Sequence, residues 1–129
     1  MGYYAQFDYQ IFNAKVNLKK IENLKKFFSE HENHEDISGF WNVDFNINEK
    51  EELIAIYPYD YYNKFYDDWL FSQKLAEILI DGEVRLFFMG EDGALWGFKI
   101  IPGKVLNMSA VWIDETEYDA VNEFLDKLR

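Results

Sequence analysis

The chain has 129 residues, a hydrophobic fraction of 49% and a formal net charge of −11. This length suits one domain, and the apolar content is enough for a core, which excludes a disordered chain. Cysteine is absent, so disulfides and thiolate chemistry are excluded as well. The N-terminus lacks the pattern of a signal peptide, and no apolar run reaches the roughly 20 residues of a membrane span. We expect one cytoplasmic domain, residues 1–129, with no membrane contact.

The N-terminal third predicts a strand and a helix. Residues 3–12 alternate between apolar and polar side chains, which predicts a strand with one core-facing set, Tyr3, Ala5, Phe7, Tyr9 and Ile11. Residues 17–30 have helical periodicity, and Asn17 is a suitable N-cap. The apolar stripe of that helix is Leu18, Ile21, Leu24, Phe27 and Phe28. The polar residues 29–39 predict a loop.

A hairpin is predicted next. Residues 40–47 alternate, so we expect Trp41, Val43, Phe45 and Ile47 to face the core and Phe40 to point outward. Residues 48–52 predict a turn, and Leu53–Tyr57 predicts the returning strand. Pro58 ends that strand, because proline cannot donate a ladder hydrogen bond.

The second half predicts a helix, three strands and a final helix. Residues 63–80 have helical spacing, with Trp69 facing the sheet and Asp81-Gly82 ending the helix. Three strands follow at residues 83–89, 94–100 and 105–113, joined by "GEDG" and "IPGK" turns. Asp114 or Thr116 caps the last helix, whose expected inward side chains are Tyr118, Val121, Leu125 and Leu128.

The predicted element order is β-α-β-β-α-β-β-β-α. Because hairpin-length links join neighbouring strands, pairing must be mainly antiparallel. The sequence therefore predicts the α+β class, with a single mainly antiparallel sheet and about three helices packed against it. The predicted core is Trp41, Phe45, Trp69, Phe88, Trp96 and Leu125.

Catalytic and metal-binding motifs are weak. "HENHED" at residues 31–36 places its histidines three apart, not four apart as on a zinc-protease helix, so no metal site is expected. "GEDG" fits a hairpin turn better than a calcium loop. The four serines lie outside any nucleophile-elbow context. We expect no catalytic residues and no cofactor, and hence a protein that is not an enzyme.

The stretch "IYPYDYYNKFYDDWL" concentrates tyrosine and aspartate in one place. Residues 29–68, which include it, hold eleven acidic residues and two lysines. Tyrosine is enriched at protein interfaces, and an acidic field attracts basic partners while it repels nucleic acid. Two interpretations remain open, a tyrosine-rich loop packed over the sheet edge and a binding surface. The candidate binding residues are Tyr59, Asp60, Tyr61, Tyr62, Asp67 and Asp68, with both Asp67 and Asp68 expected to point outward.

The segments "GYYAQFDYQI" and "GEDGALWGFKIIPGKV" resemble parts of small proteins encoded by phages, prophages and other mobile elements of low-GC bacteria. The resemblance covers under a quarter of the chain, and no catalytic residue carries over. It implies a small accessory protein, many of which act by binding and blocking a host or rival protein.

Three hypotheses for function follow. The first is an acidic interaction module that inhibits or neutralises a basic, nucleic-acid-handling protein, as host-defence inhibitors and immunity proteins do, without binding nucleic acid directly. The second is a small-ligand-binding or enzymatic domain with a pocket between sheet and helices. The third is a homodimeric accessory protein whose aromatic patch is the dimer interface.

Overall fold

The computed structural model describes residues 2–30 and 39–128. The elements in these ranges are β1 (Ala5–Val16), α1 (Leu18–Glu30), β2 (Asp44–Ile47), β3 (Leu53–Tyr57), β4 (Tyr62–Asn63), α2 (Asp68–Ile78), β5 (Leu79–Gly90), β6 (Leu95–Ile101), β7 (Lys104–Ala110) and α3 (Glu115–Lys127). One antiparallel sheet has the strand order β4-β1-β5-β6-β7, and β2 and β3 form a separate hairpin. The predicted α+β class is confirmed, although the hairpin makes a second small sheet.

The long β1–β5 ladder forms the centre of the sheet. Ala5 and Phe7 are buried in the predicted phase, but Asn13 adopts a positive φ of 48° and the register shifts beside it. Gly82, whose φ is 82°, lies against this irregularity, where a Cβ would come within 2.2 Å of the Asn13 carbonyl oxygen. Asp81-Gly82 therefore lies inside β5, opposite a bulge in β1 where only glycine fits, and does not end a helix.

Helix α1 begins as the sequence predicts. The Asn17 Oδ1 accepts hydrogen bonds from the backbone N–H groups of Lys19 and Lys20, at 3.0 and 3.3 Å. This capping satisfies donors that have no partner inside the helix. The buried side chains of α1 are Ile21, Leu24 and Phe28, whereas Leu18 at its start is exposed.

The core is a cluster of aromatic rings between the sheet and the helices. The Phe40 and Phe71 rings stack with centroids 3.8 Å apart, and the edge of Phe7 meets Phe40 at 5.4 Å. The prediction that Phe40 points outward is wrong, since its side chain is 0% exposed. The chain turns at residues 39–42, where Asn42 has a positive φ, and extends only from Asp44. The alternation assumed for residues 40–47 therefore fails at its start.

Helix α2 is shorter than predicted. It buries Phe71, Ser72, Leu75, Ala76 and Ile78, and the chain then passes directly into β5 at Leu79. This face leaves Trp69 outside the core, with its ring against Phe98 at 5.7 Å. The prediction of a helix over residues 63–80 is therefore wrong at both ends. Phe65, which it included, is buried from the preceding turn.

Helix α3 forms but does not pack inward. None of its residues is buried, and Leu125 is 42% exposed. The predicted inward positions of Tyr118, Val121, Leu125 and Leu128 are therefore wrong. Of the predicted core, Phe88 is buried and Trp41, Phe45 and Trp96 are half-buried, while Trp69 and Leu125 lie outside it.

Candidate functional site

The tyrosine-rich segment runs along one edge of the sheet. Strand β4 pairs with the start of β1, where Tyr62 lies opposite Gln6 and the backbone N–H of Phe7 donates to the Tyr61 carbonyl at 2.7 Å. Among the strands that the structure describes, β4 is the edge strand of this sheet. Tyr59, which precedes β4, is 70% exposed, and Tyr57, Tyr61 and Tyr62 are also exposed.

We call this surface the tyrosine patch: Tyr4, Trp41, Tyr57, Tyr59, Asp60, Tyr61 and Tyr62. The Trp41 and Tyr59 rings are tilted together with centroids 5.1 Å apart. Tyr62 stacks on Tyr4 at 5.3 Å. These contacts fix ring positions before any partner arrives, which lowers the entropy that binding must overcome.

Tyr61 is the member of the patch that is anchored to the core. Its ring stacks over Phe7 at 6.2 Å, and its hydroxyl donates to the Ile56 carbonyl at 3.2 Å. Burial raises the pKa of Tyr61, and the neighbouring Tyr9, Tyr57 and Asp8 raise it further. The hydroxyl therefore stays protonated at neutral pH, and Tyr61 supports the patch as well as contributing surface.

Two exposed carboxylates give the patch its acidic character. Asp60 lies in the segment itself, where its Oδ1 accepts from the backbone N–H of Tyr62 at 3.1 Å and orders the turn. Asp8 comes from β1 and lies close enough to Tyr61 to raise its pKa. The cation at this edge is Lys64, whose Nζ is 5.7 Å from the centre of the Tyr4 ring.

Asp67 and Asp68 have structural partners, and the expectation that they point outward is wrong. The Asp67 Oδ1 accepts from the backbone N–H of Gly39 at 3.2 Å. The Asp68 Oδ2 accepts from the Trp96 indole at 2.9 Å, and its Oδ1 accepts from its neighbour's backbone N–H. Because α2 begins at Asp68, both carboxylates lie at a helix start, where backbone donors gather.

The fold also contributes residues that the sequence analysis left out of the site. Asp8 comes from the outward phase of β1, Tyr4 directly precedes that strand, and Trp41 comes from the turn before β2. The alternation of apolar and polar residues in β1 already indicated which of its side chains point away from the core. The pairing of β1 with β4, which brings these side chains beside Tyr59 and Tyr62, depends on a two-residue strand that no sequence pattern marks.

The other shifted titratable groups are explained by pairs on the surface. Arg85 beside Glu83 lowers the pKa of that carboxyl, and Lys25, whose Nζ is 2.9 Å from Asp44, lowers the pKa of Asp44. The structure shows no cluster of three or more metal-ligating side chains in residues 2–30 and 39–128. The "HENHED" motif lies outside those ranges.

One apolar cavity lies on the sheet near the β5–β6 turn. Its volume is about 250 Å³, and its lining is Phe87, Phe88, Leu95, Trp96, Gly97, Met108, Ser109 and Ala110. Ligand pockets usually measure about 300–1,000 Å³ and carry several convergent polar groups. Ser109 is the one polar side chain in this lining, so the cavity suits an apolar side chain better than a polar small molecule.

Comparisons with protein-family models, curated proteins and solved structures found no match. Within the part of the chain that the structure describes, no helix is long and apolar enough to cross a membrane. Function is therefore argued from the site itself, since folds alone do not define function.

Proposed function

We propose that this protein is an acidic interaction module that binds and inhibits a basic, nucleic-acid-handling protein. Its tasks would be those of a host-defence inhibitor or an immunity protein, of the kind encoded by phages and mobile elements. The observation that carries the proposal is the exposure of the tyrosine patch, with Tyr59 70% exposed beside Trp41 and Asp60.

Aromatic residues at the centre of an interface supply most of its binding energy. Tyrosine and tryptophan combine a large apolar area with few rotatable bonds, which makes them frequent hot spots. In the tyrosine patch Trp41 and Tyr59 form one contact pair and Tyr4 and Tyr62 form another. Two fixed ring pairs on one sheet edge are the arrangement that such an interface uses.

The charge of the chain supports a basic partner. The formal net charge of −11 produces a negative field that speeds encounter with cations and slows encounter with nucleic acid and anionic lipid. Exposed carboxylates such as Asp8 and Asp60 can occupy Lys and Arg side chains that otherwise bind phosphates. Inhibition by competition with nucleic acid follows from this chemistry, and the site of action that we propose is the cytoplasm.

The alternative of a small-ligand or enzymatic domain has less support. The apolar cavity beside Gly97 shares no lining residue with the tyrosine patch and lacks convergent polar groups. Dimerisation through the tyrosine patch places the acidic side chains of two copies together, and like charges at an interface oppose association. A different protein with a basic surface can pack against the aromatic rings and is also attracted by the negative charge.

The experiment is capture followed by an inhibition assay. The full chain is immobilised and incubated with nuclease-treated bacterial lysate, and retained proteins are eluted with a DNA duplex. The retained protein is then purified, and its binding to a fluorescent DNA duplex is measured as the chain is added. We expect one basic protein, retained at about equal stoichiometry, to lose DNA binding as the chain reaches equimolar concentration.

Two outcomes contradict the proposal. In one, the retained protein binds DNA equally well with and without the chain. In the other, DNA fails to elute it at a concentration that saturates its own nucleic-acid site. Either result shows that the chain does not compete with phosphates.

A further inference from the structure

Helix α3 exposes a continuous apolar face. Successive positions at helical spacing place Tyr118, Val121, Leu125 and Leu128 on one side, with Phe124 beside them. These five side chains are between 42% and 69% exposed. The opposite side is acidic and carries Asp119, Glu123 and Asp126. An amphipathic helix of this kind normally packs its apolar side against another surface.

Local signals in α3 favour a helix but cannot alone stabilise it. The Asp114 Oδ1 accepts from the backbone N–H of Glu117 at 2.9 Å, and Lys127 lies in the last turn, where a cation is favourable. However, the helix has 13 residues, and isolated helices of this length are marginal in water. The missing stabilisation must come from packing of the apolar face.

The sheet offers a matching surface. On β5, Val84, Leu86 and Phe88 face the core, so Phe87 and Met89 face the other way. The ladder register places Gly97 and Met108 on that same outer face. In the described ranges α2 is the helix that contacts β6 and β7, and its contacts with Trp96 and Phe98 lie on the opposite face.

Gly97 makes the outer face concave. A Cβ at this position would lie 2.4 Å from the Leu86 carbonyl oxygen, so only glycine fits. The absent side chain opens the cavity of about 250 Å³ between Phe87, Leu95 and Met108. A leucine side chain or a phenylalanine ring from a helix could insert into a cavity of this volume. The 13-residue helix is about 20 Å long and the seven-residue strands about 23 Å, so their lengths also agree.

The segment before α3 is attached to the β5–β6 turn. The Trp112 indole donates to the Gly93 carbonyl at 3.2 Å, which fastens the segment to the β5–β6 turn of its own chain. The helix begins at Glu115, three residues after Trp112, and none of its residues is buried. Its apolar face is therefore available to another copy.

We propose that two copies of the chain exchange α3, with the apolar face of each helix packed on the outer face of the partner's β5–β6–β7. This is a domain-swapped, two-fold dimer, in which each contact is made twice. It uses the β7 side of the sheet, whereas the tyrosine patch lies at β4 on the other edge. None of the seven residues of the tyrosine patch belongs to this contact, so the proposal is independent of the proposed function.

The area involved is sufficient for a stable dimer. The exposed apolar side chains of the helix itself are Tyr118, Val121, Phe124, Leu125 and Leu128. They expose on the order of 500 Å² in each copy, and the outer face of the sheet in the same copy adds to this, whereas a standard interface buries roughly 800 Å² per partner. The contact is repeated by symmetry, so the total exceeds what a stable dimer needs.

The outer face of the sheet also carries charged side chains near its β6–β7 end. Arg85, Lys99 and Lys104 lie on the outer face, where Glu83 pairs with the first two. Lys104 adds a further exposed cation at the β6–β7 turn. With the apolar face of α3 on the sheet, its acidic side faces solvent.

The absence of cysteine permits a direct test by disulfide trapping. Two single variants, Leu125→Cys and Met108→Cys, are prepared with tags of different size, mixed and oxidised gently. Exchange predicts a mixed disulfide between the two chains. The pair Glu123→Cys and Met108→Cys is the matched control, since Glu123 lies on the acidic side of α3, and it should give at least tenfold less product.

Other occupants of the outer face give different products. If α3 folds back on its own sheet, the double variant Leu125→Cys/Met108→Cys closes within one chain and the mixed single variants do not join, which overturns the proposal. If α3 serves a different protein, neither disulfide forms. Light scattering provides a second measurement. The wild-type chain should have twice its monomer mass of 15.5 kDa, and Val121→Asp with Leu125→Asp should return it to that mass. A wild-type monomer at micromolar concentration also overturns the proposal.

Discussion

The Trp96 indole Nε1 donates a hydrogen bond to the Asp68 Oδ2 at 2.9 Å, joining β6 to the first residue of α2. The second oxygen of Asp68 accepts from the backbone N–H of Trp69 at 2.7 Å. Both oxygens are therefore engaged inside the fold. A residue that the sequence assigned to a binding surface instead fixes a helix to the sheet.

Replacing Asp68 with alanine should lower the free energy of unfolding by about 1–3 kcal/mol, because a half-buried indole N–H loses its acceptor. The measurement is denaturant unfolding of the variant beside Asp119→Ala, which removes an exposed carboxylate from α3. The control should change stability by about 0.5 kcal/mol or less. A loss for Asp68→Ala no larger than that of the control would show that the hydrogen bond does not stabilise the fold.

Phe40 should be more costly to truncate than Phe45. Phe40 stacks on Phe71 at 3.8 Å and is fully buried, so Phe40→Ala should destabilise by about 3–5 kcal/mol. Phe45 is half-buried, and its ring is 6.2 Å from Phe71, so Phe45→Ala should cost less. Parallel denaturant unfolding of the two variants checks the order. The reverse order would support the sequence-based alternation of residues 40–47.

Tyr3 should titrate at unusually high pH. Its hydroxyl donates to Asp92, and this hydrogen bond is the main reason that the pKa of Tyr3 rises from 10.0 to about 12. Ultraviolet titration should show one of the nine tyrosines ionising near pH 12, and Tyr3→Phe should remove that step. If Tyr3→Phe removes a step near pH 10 instead, the bond is not formed in solution.

The same bond has a pH dependence of known sign. Because the pKa of Tyr3 is raised, its contribution to stability is present below pH 10 and is lost as pH rises toward 12. The pKa of Asp92 is lowered by the Tyr3 hydroxyl, so its contribution is present above its ordinary value of 3.8 and is lost at more acidic pH. The stability difference between wild type and Tyr3→Phe should therefore shrink at both extremes.

Local patterns predicted most of the elements because their signals are local. The Asn17 cap, the turn glycines Gly93 and Gly103 and the stop at Pro58 all lie where the sequence placed them. The errors came from events that depend on distant contacts. The bulge at Asn13 and Gly82 is a pairing of two strands, and a helix-stop signal has the same local appearance.

The candidate site was partly predictable for the same reason. Tyr59, Tyr61 and Tyr62 were candidate binding residues from the sequence, and all three are exposed. Asp67 and Asp68 were misplaced because their partners, Gly39 and Trp96, are about 28 residues away along the chain. The amphipathic pattern of α3 predicted a helix correctly but could not show that its apolar face stays exposed among the residues that the structure describes.

If the tyrosine patch binds a basic partner, changes in the patch should weaken binding without lowering the stability of the fold. In the double variant Tyr59→Ala/Asp60→Asn, one exposed ring and one exposed carboxylate are removed. Unfolding should change little, because both side chains lie on the surface. A matched control is Phe12→Ala/Asp81→Asn. It also removes one exposed aromatic ring and one exposed carboxylate, but at the far end of the β1–β5 ladder.

The most direct measurement is the Kd of the captured basic protein for wild type, patch variant and control, determined at low and at high salt. We expect the patch variant to bind at least about tenfold more weakly, with a shallower salt dependence, and the control to bind like wild type. Equal Kd values for all three chains, or a loss as large in the control as in the patch variant, would contradict the account.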